Sequence, residues 1–317
     1  MRIGWIGFHM EGIPALEGVL EQGFPLHAVI TLKPELRGKR SGAADYRPVC
    51  SKYSIPVFEV ANINDDEGLR LLKELAFDLV FVIGWTQLIR TEALNLPRLG
   101  MIGAHASLLP HNRGRAPINW ALIKGERQTG NSLMWLAEGI DRGDIIDQVT
   151  IPVTLYDTCA SVYEKVAQTN RDMILRVLPA IFAGQRPGRP QSENGDGYLP
   201  GRKPDDGLVN WSMSSNEVYN FLRALTAPYP GAFSWLEGRR WFLWQCSLLP
   251  HLGSIDATPG QIVGPIYSPV ESACGQVVAC GTGAIALLNV EAEDGRILKG
   301  RVLSDQPWKG KTWTNGG

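Results

Sequence analysis

The chain has 317 residues, 44% of them hydrophobic, which is enough to bury large cores and to form two domains. Its 31 basic and 32 acidic residues leave a net charge of −1, which excludes a general attraction to nucleic acid or to an anionic membrane. A polyanionic partner would therefore need a local basic patch.

The cysteines and the N terminus indicate a cellular compartment. The five cysteines are odd in number, widely scattered and without a Cys-x-x-Cys pair, as is typical of reduced thiols. The N terminus lacks the long apolar run of a secretion signal, and no apolar run is long enough to span a membrane. We therefore expect a cytoplasmic protein with no membrane partner.

The first half of the chain alternates short apolar runs with helical patterns. Strands are predicted at residues 2–8, 26–31, 78–83 and 101–105, with helices at 13–22 and 67–75 between them. This alternation predicts a Rossmann-like α/β domain with a parallel-rich sheet covered on both faces. The opening Gly4-Trp5-Ile6-Gly7 lacks the third glycine of a dinucleotide site, so we interpret it as an ordinary first strand and turn.

The second half changes in character after a long predicted helix at residues 159–183. Residues 185–206 are crowded with proline, glycine and polar residues and predict a linker or a wrapped connector. A helix at 214–225 and short strands at 232–236, 240–246, 261–263, 276–280 and 284–290 predict a small OB-like β-barrel. We therefore predict domains at 1–184 and 207–317, joined by the linker 185–206.

The stretch from residue 103 to 148 carries the chemistry. His105 ends a predicted strand, at the edge of the sheet where α/β proteins bind ligands, and a turn fixed by Pro110 follows. Asp141 lies thirty-six positions later. A histidine with a distant carboxylate predicts a general base and the group that tunes it. Arg113 and Arg115, with a flexible glycine between them, could hold a substrate against the imidazole.

The motifs in this stretch resemble those of the folate-dependent formyltransferases. The run HASLLPHNRGRAPINWALIKGERQTG at 105–130, with EGIDRGDII at 138–146, carries the resemblance, and RGRAPINW at 113–120 is most similar to the nucleotide-aminosugar branch. Residues 206–211 and 223–233 resemble the C-terminal half of the same enzymes. The family also includes the methionyl-tRNA and glycinamide ribonucleotide formyltransferases.

The resemblance implies transfer of a formyl group from 10-formyltetrahydrofolate to an amine. It assigns catalysis to His105 and Asp141, and it places an asparagine two residues before the histidine, where this chain has Gly103. A side-chain amide aimed at the tetrahedral oxyanion is worth roughly 3 kcal/mol. Three alternatives follow: another donor such as Asn119 or Asn112 substitutes, the imidazolium acts alone, or the chain is catalytically weak. We favour the first two together.

The roles of the two catalytic candidates follow from the need to deprotonate the amine. We assign His105 to polarise the formyl oxygen and relay protons, and Asp141 to orient the imidazole and help accept the ammonium proton. Asp144 and Asp147 are interpreted as turn and surface acids. No metal is predicted, because a second cluster of ligands is missing.

The resemblance places the pterin beside the predicted strand that precedes His105 and near the acidic run at 138–141. Trp85 fits a packed aromatic equally well, because large aromatic side chains mostly fill cores. The predicted folate-binding residues are Ile83, Gly84, Trp85, Ser107, Leu108, Leu109, Pro110 and Glu138.

The amine acceptor is predicted from charge. A loop with five cations favours tRNA: Lys33, Arg37, Lys39, Arg40 and Arg47. From residue 201 onward, however, ten basic residues balance ten acidic ones, whereas a tRNA-binding barrel should be basic. We therefore favour a small amine, a nucleotide-linked aminosugar in particular, held by Arg113 and Arg115 with Tyr229 as an aromatic contact.

Three alternative functions stay open at this point. The first is a methionyl-tRNA formyltransferase, and the second is an enzyme that formylates hydroxyornithine or another amino-acid amine. The third is a non-catalytic module that binds folate or nucleotide, which the presence of both His105 and Asp141 argues against. Trp308 and Trp313, expected to be exposed near the C terminus, are candidates for a homodimer interface.

Overall fold

The computed structural model describes residues 1–192, 195, 197–250, 252 and 255–316. Its α-helices are α1 (Ile13–Glu21), α2 (Pro34–Arg37), α3 (Arg47–Lys52), α4 (Asp66–Leu75), α5 (Thr91–Leu94), α6 (Pro117–Ile123), α7 (Cys159–Phe182), α8 (Ser215–Leu225) and α9 (Gly300–Ser304). Its strands are β1 (Ile3–Ile6), β2 (Leu26–Leu32), β3 (Val57–Val60), β4 (Leu79–Val82), β5 (Gly100–His105), β6 (Gln128–Trp135), β7 (Ile145–Pro152), β8 (Ala232–Leu236), β9 (Arg239–Leu248), β10 (Ile262–Ile266), β11 (Gly275–Ala279), β12 (Ala284–Ala292) and β13 (Ile297–Lys299).

The chain forms two compact units that are discontinuous in sequence. The first comprises residues 1–117, 128–153 and 161–201, and the second comprises residues 118–127, 154–160 and 202–317. The stretch predicted as a linker is divided between them at residues 201 and 202. Positions 193, 194 and 196 of that stretch lie outside the described residues.

The first unit is built on a seven-stranded sheet in the order β3-β2-β1-β4-β5-β6-β7. Strands β3, β2, β1, β4 and β5 are parallel, whereas β6 and β7 pair antiparallel at one side. The predicted parallel-rich α/β architecture is confirmed. All the parallel strands end at one edge of the sheet, and β5 brings His105 to that edge.

Helices cover both faces of this sheet because its central strands are apolar almost throughout, and successive side chains of a strand point to opposite faces. On one face, Trp5 and Phe81 are fully buried among apolar residues of α1 and α7. On the other face, Ile6 and Val80 are fully buried among apolar residues of α4 and α5. Two separate apolar cores, one on each face, therefore support the sheet below the carboxyl ends of its parallel strands.

The glycines of the first strand and turn serve packing. A Cβ atom at Gly4 would lie 2.6 Å from the ring of Phe77, and one at Gly7 would lie 2.4 Å from the carbonyl oxygen of Ile83. Both positions therefore need glycine so that neighbouring groups can approach the backbone. This agrees with the interpretation of the segment as an ordinary strand and turn.

Strand β6 was not predicted because polar side chains interrupt its pattern. Asn131 and Ser132 are fully buried in it. The Nδ2 atom of Asn131 donates to Asn170 Oδ1 at 2.7 Å and to Thr169 Oγ1 at 3.0 Å, both on α7. Buried polar groups are tolerated when they are hydrogen-bonded, and that compensation depends on a residue 39 positions away. Strands β3, β7 and β13 were also not predicted.

The second unit contains an antiparallel sheet in the order β10-β11-β12-β9-β8, with β13 also paired to β12. The backbone near the C terminus joins its two edges. Trp235 of β8 and Thr314 exchange two hydrogen bonds of 3.1 and 2.8 Å, and Ile262 of β10 donates to Lys311 at 2.8 Å. This closure gives the predicted C-terminal β-barrel.

The expectation that Trp308 and Trp313 are exposed is wrong. They are 6% and 2% exposed, and their ring centroids lie 5.9 Å apart. Trp308 also packs against Trp241, and Trp313 against Trp211. The two rings therefore fill the core of the second unit instead of forming a surface for a dimer. Among the described residues, no helix is long and apolar enough to cross a membrane.

Candidate active site

His105 is the last residue of β5. One of its ring nitrogens is hydrogen-bonded to a backbone carbonyl, and the other lies near a carboxylate. The residue is 8% exposed, and its Nε2 lies 2.8 Å from the backbone carbonyl oxygen of Asn112. Because a carbonyl only accepts hydrogen bonds, Nε2 carries the proton. The other nitrogen, Nδ1, lies 3.6 Å from Asp141 Oδ2. Nδ1 is therefore the ring atom left for proton exchange.

Asp141 sits in the loop after β6 in an unusual backbone conformation. Its φ angle of +52° is in the left-handed region, which non-glycine residues rarely adopt. Its Oδ2 accepts the backbone N–H of Gly114 at 2.9 Å. The arginine-glycine loop thus aims this carboxylate at the imidazole.

Arg113 contacts the Asp141 loop and not the solvent. It is 6% exposed, and its Nε donates to the backbone carbonyl of Asp141 at 3.2 Å. Its Nη2 donates to Gln191 Oε1 at 2.6 Å. These contacts do not fit the predicted grip on a substrate diphosphate, because the guanidinium is enclosed and already hydrogen-bonded. Arg115 is exposed, and within the described ranges no acidic side chain pairs with it.

The turn at Ser107–Pro110 is held by hydrogen bonds of its neighbours. Ser132 Oγ donates to the Ser107 carbonyl at 2.6 Å, and Gln148 Nε2 donates to the Leu109 carbonyl at 2.9 Å. The Ser107 hydroxyl donates to the His111 carbonyl at 2.7 Å, and the side chain of Leu109 is buried. These side chains fix the turn, and Pro110 and the half-buried Leu108 complete it.

The predicted pterin segment follows β4 at the same edge of the sheet. Ile83 is fully buried, Gly84 adopts a φ of +67°, and the half-buried Trp85 packs edge-on against Phe8 at 5.7 Å. Glu138, from the loop after β6, accepts a hydrogen bond from the hydroxyl of Thr91 at the start of α5. This contact ties the segment after β4 to the loop that carries Asp141.

Gly103 lies on β5, two residues before His105. The side chain of Leu136 occupies the space that a side chain at position 103 would fill. A Cβ atom at Gly103 would lie 2.5 Å from Leu136 Cδ2, well inside van der Waals contact. Leu136 therefore fills the position from which an asparagine at 103 would extend.

Asn119 and Tyr229 belong to the second unit. Asn119 is fully buried, and its Nδ2 donates to the Ala224 carbonyl at 2.6 Å. An enclosed amide that already has an acceptor does not fit the predicted oxyanion donor. Tyr229 is half-buried. The other asparagine considered, Asn112, contributes its backbone carbonyl to His105.

Sequence reasoning missed Gln191, Ser132 and Gln148. Gln191 lies in the stretch that resembled a linker, and its amide contacts Arg113 and the Asp141 loop. No local signal identifies it, because its partners are 48 to 78 positions away. Within the described part of the chain, no group of three or more His, Cys, Asp or Glu residues is arranged to hold a metal ion.

The fold defines a class of protein, an α/β domain followed by an antiparallel β-barrel. Two family models match the sequence of the chain. They are Formyl transferase, over residues 20–178, and Formyl transferase, C-terminal domain, over residues 202–306. A methionyl-tRNA formyltransferase of Syntrophus aciditrophicus (strain SB) is 33% identical over 312 residues, which cover 96% of this chain and 97% of that protein. The chain therefore belongs to the folate-dependent formyltransferase family, as the sequence predicted, and it is a formyltransferase.

Two solved structures share the fold. HypX from Aquifex aeolicus in complex with tetrahydrofolic acid matches 99% of this chain with a TM-score of 0.66 and 18% identity, and the chain spans only 50% of that protein. An N-formyltransferase from Helicobacter canadensis, in complex with folinic acid and dTDP-3-aminofucose, matches 90% of this chain and 99% of its own length, with a TM-score of 0.62 and 18% identity. At these identities the likeness shows the fold alone. The roles of the individual site residues stay predictions.

Proposed function

We propose that this enzyme moves the formyl group of 10-formyltetrahydrofolate to the primary amine of a small molecule, a nucleotide-linked aminosugar in particular. The observation that carries the choice of acceptor is the state of the basic loop. Of its five cations, three are paired with acids of the same unit, so the loop offers little free charge to a polyanion.

The pairing in the loop is specific. Lys33 Nζ lies 3.0 Å from Glu67 Oε2, and Arg37, which is 8% exposed, lies 3.6 Å from Asp45 Oδ1. Arg47 lies 3.0 Å from Asp45 Oδ1 and 3.5 Å from Glu59 Oε1. Each ion pair removes a cation that would otherwise release counterions from a nucleic acid.

Two exposed cations of the loop remain, Lys39 and Arg40. The second half adds no net positive charge, because ten basic residues from 201 onward balance ten acidic ones. A nucleotide diphosphate needs only a few cations, and the exposed Arg115 in the loop after His105 supplies one. An N-formyltransferase bound to dTDP-3-aminofucose shares the fold, so this fold is compatible with such an acceptor.

The alternative acceptor is charged initiator tRNA. It is favoured by the full-length relative named methionyl-tRNA formyltransferase. That relative is only 33% identical, which leaves room for a different acceptor on the same fold. The loop charges and the sequence relative thus point to different amines, and a direct assay decides between them.

The proposed chemistry uses His105 and Asp141. An aliphatic amine is largely protonated at neutral pH, so a base must take a proton before its nitrogen attacks the formyl carbon. The Asp141 carboxylate and Nδ1 of His105, 3.6 Å apart, are placed to accept it. As the new N–C bond forms and the bond from the formyl carbon to N10 of the folate breaks, the attacking nitrogen gives up a second proton, which passes to N10, and the first proton leaves to solvent. The acceptor leaves as a formamide.

His105 also stabilises the oxyanion in this proposal. With Nε2–H bound to the Asn112 carbonyl, a proton on Nδ1 makes the ring an imidazolium that can donate to the formyl oxygen. The carboxylate of Asp141 lies 3.6 Å from Nδ1, beside that cation. Because Leu136 fills the space beside Gly103, the imidazolium carries this role without an asparagine at that position.

The folate fits the segment after β4 in its donor chemistry. Trp85 Nε1 is buried without a hydrogen-bond partner among the described residues, so its N–H is a donor available to a ligand. Ile83, Gly84, Trp85 and Glu138 would hold the pterin, and the bound folate supplies the activated formyl group.

The deciding experiment measures release of tetrahydrofolate from 10-formyltetrahydrofolate with three acceptors: dTDP- and UDP-linked aminosugars, charged initiator tRNA and hydroxyornithine. We expect amine-dependent release with a nucleotide-linked aminosugar and none with tRNA. A Lys39→Ala, Arg40→Ala double variant should keep aminosugar activity. If tRNA is formylated and this variant loses that activity, the tRNA alternative replaces the proposal. If no acceptor supports release while folate binds, the chain is a binding module.

A further inference from the structure

The side chain of Gln191 links its own segment of the first unit to the arginine loop at Arg113 and to the acidic loop at Asp141. Its Oε1 accepts from Arg113 Nη2 at 2.6 Å and from Arg113 Nε at 3.2 Å. Its Nε2 donates to the backbone carbonyls of Asp141 at 2.9 Å and Gly143 at 2.7 Å. Both ends of the amide are therefore used, one toward the arginine loop and the other toward the acidic loop.

The residue that Gln191 holds needs external support. Asp141 has a φ of +52°, and such a conformation persists only where the surrounding structure over-determines it. The Asp141 carbonyl receives two donors, Gln191 Nε2 and Arg113 Nε, at 2.9 and 3.2 Å. The peptide that follows Asp141 is therefore clamped, and the carboxylate stays 3.6 Å from His105 Nδ1.

Only an amide satisfies all of these contacts. The acceptor end of residue 191 faces a guanidinium, and the donor end faces two carbonyls. A carboxylate of the same size would keep the first contact but would place an acceptor against two other acceptors. A methyl group would lose all of them.

We propose that Gln191 is a positioning residue for catalysis, which holds Asp141 against His105 through the Asp141 carbonyl and through Arg113. The inference rests on the proposed function, in which these two side chains handle the proton. Gln191 acts through Asp141, because both ends of its amide are occupied by Arg113 and the Asp141 loop.

The test uses Gln191→Ala, the isosteric Gln191→Glu and a control, Gln185→Ala, which removes an exposed glutamine from the same stretch. Misplacing a reacting group by about 1 Å costs about a hundredfold in rate. We expect kcat for formyl transfer to fall about ten- to a hundredfold in both Gln191 variants. KM for the folate should change less than about threefold, because the lost contact serves the chemical step and not binding. Gln185→Ala should match the wild type.

A second readout does not depend on activity. The chain has five histidines, so the ring resonances of selectively labelled protein can be followed one by one, with His105→Ala as the assignment control. We expect the His105 resonance to shift in Gln191→Ala in the direction that Asp141→Asn moves it, and to stay in place in Gln185→Ala.

The outcomes separate the two proposals. If the wild type transfers no formyl group to any amine, the proposed function fails, while the His105 resonance still tests the positioning role. If the wild type is active and Gln191→Glu keeps its kcat, or the His105 resonance stays unchanged in Gln191→Ala, the positioning role is overturned.

Discussion

Leu136 occupies the space beside Gly103 on β5, so that a Cβ atom at Gly103 would lie 2.5 Å from Leu136 Cδ2. The two residues form a matched pair, a large side chain against a missing one. Asparagine cannot replace Gly103 unless Leu136 moves.

Gly103→Asn is expected to destabilise the protein by about 0.5 to 1.5 kcal/mol, the cost of pushing the half-buried Leu136 side chain away from its preferred rotamer. In Gly103→Asn with Leu136→Ala, the asparagine gains room, and we expect kcat to exceed that of the wild type about tenfold through added oxyanion stabilisation. Leu136→Ala alone is the control. Urea unfolding and steady-state kinetics measure both effects, and an unaltered unfolding midpoint in Gly103→Asn would contradict the steric account.

His105→Ala and Asp141→Asn should each lower kcat by about a hundredfold to ten-thousandfold, the range of general acid–base catalysis. Calorimetric titration with tetrahydrofolate should show binding retained, because neither change removes the predicted pterin contacts. Full activity in either variant would remove that residue from the mechanism.

The lowered pKa of Asp78 predicts that the stability of the fold depends on pH. It accepts the backbone N–H of Arg2 at 2.7 Å and Arg98 Nε at 2.9 Å, and these two donors hold the pKa of Asp78 below its ordinary value. Because its pKa is lowered in the folded state, the Asp78 carboxylate stabilises the fold at pH values above its ordinary pKa of about 3.9. That stabilisation is lost as pH falls through the pKa of the folded state.

Asp78→Asn should therefore lower Tm at pH 7, and the deficit should shrink below about pH 3 as the wild-type carboxylate is protonated. Asp205→Asn, at an exposed site in the second unit, is the control and should change Tm little at either pH. Calorimetry at the two pH values tests this, and an equal deficit at both would show that the charge of Asp78 contributes nothing.

The thiols of Cys159 and Cys50 are predicted to be unreactive. Burial raises the pKa of the Cys159 thiol to about 12 and that of Cys50 to about 11, and both side chains are fully buried. Because only the thiolate is nucleophilic, iodoacetamide at pH 8 should label them far more slowly in folded than in urea-unfolded protein. Peptide mass spectrometry measures the labelling. Equal rates in the two states would contradict their burial.

Trp313→Ala should destabilise the barrel by about 3 to 5 kcal/mol, as large-to-small changes of core aromatics do. The side chain is 2% exposed and stacks on Trp211 with centroids 6.3 Å apart. Tyr156→Ala, at a residue 92% exposed, should stay within about 0.5 kcal/mol of the wild type. Urea unfolding followed by circular dichroism compares them, and a Trp313 variant as stable as the control would exclude a core role.

Much of the fold was predictable because its signal is local. The apolar runs of β1, β2, β4 and β5 and the helical periods of α1 and α4 consist of consecutive residues. Strand β6 was not predictable in the same way, because its buried Asn131 depends on Asn170 for a hydrogen bond. Trp313 was misjudged for a related reason: proximity to the C terminus gives no information on burial when the terminal backbone closes a barrel.

The sequence by itself determined the family, the placement of His105 at the end of a strand and its distant partner Asp141, since motif order and strand pattern are properties of the chain. Only the tertiary structure decided that Leu136 fills the space beside Gly103, that acids neutralise most of the basic loop, and that Gln191 reaches Arg113 across 78 positions. These are contacts between distant residues. A sequence records which side chains are available, and the packing of the fold selects the ones that meet.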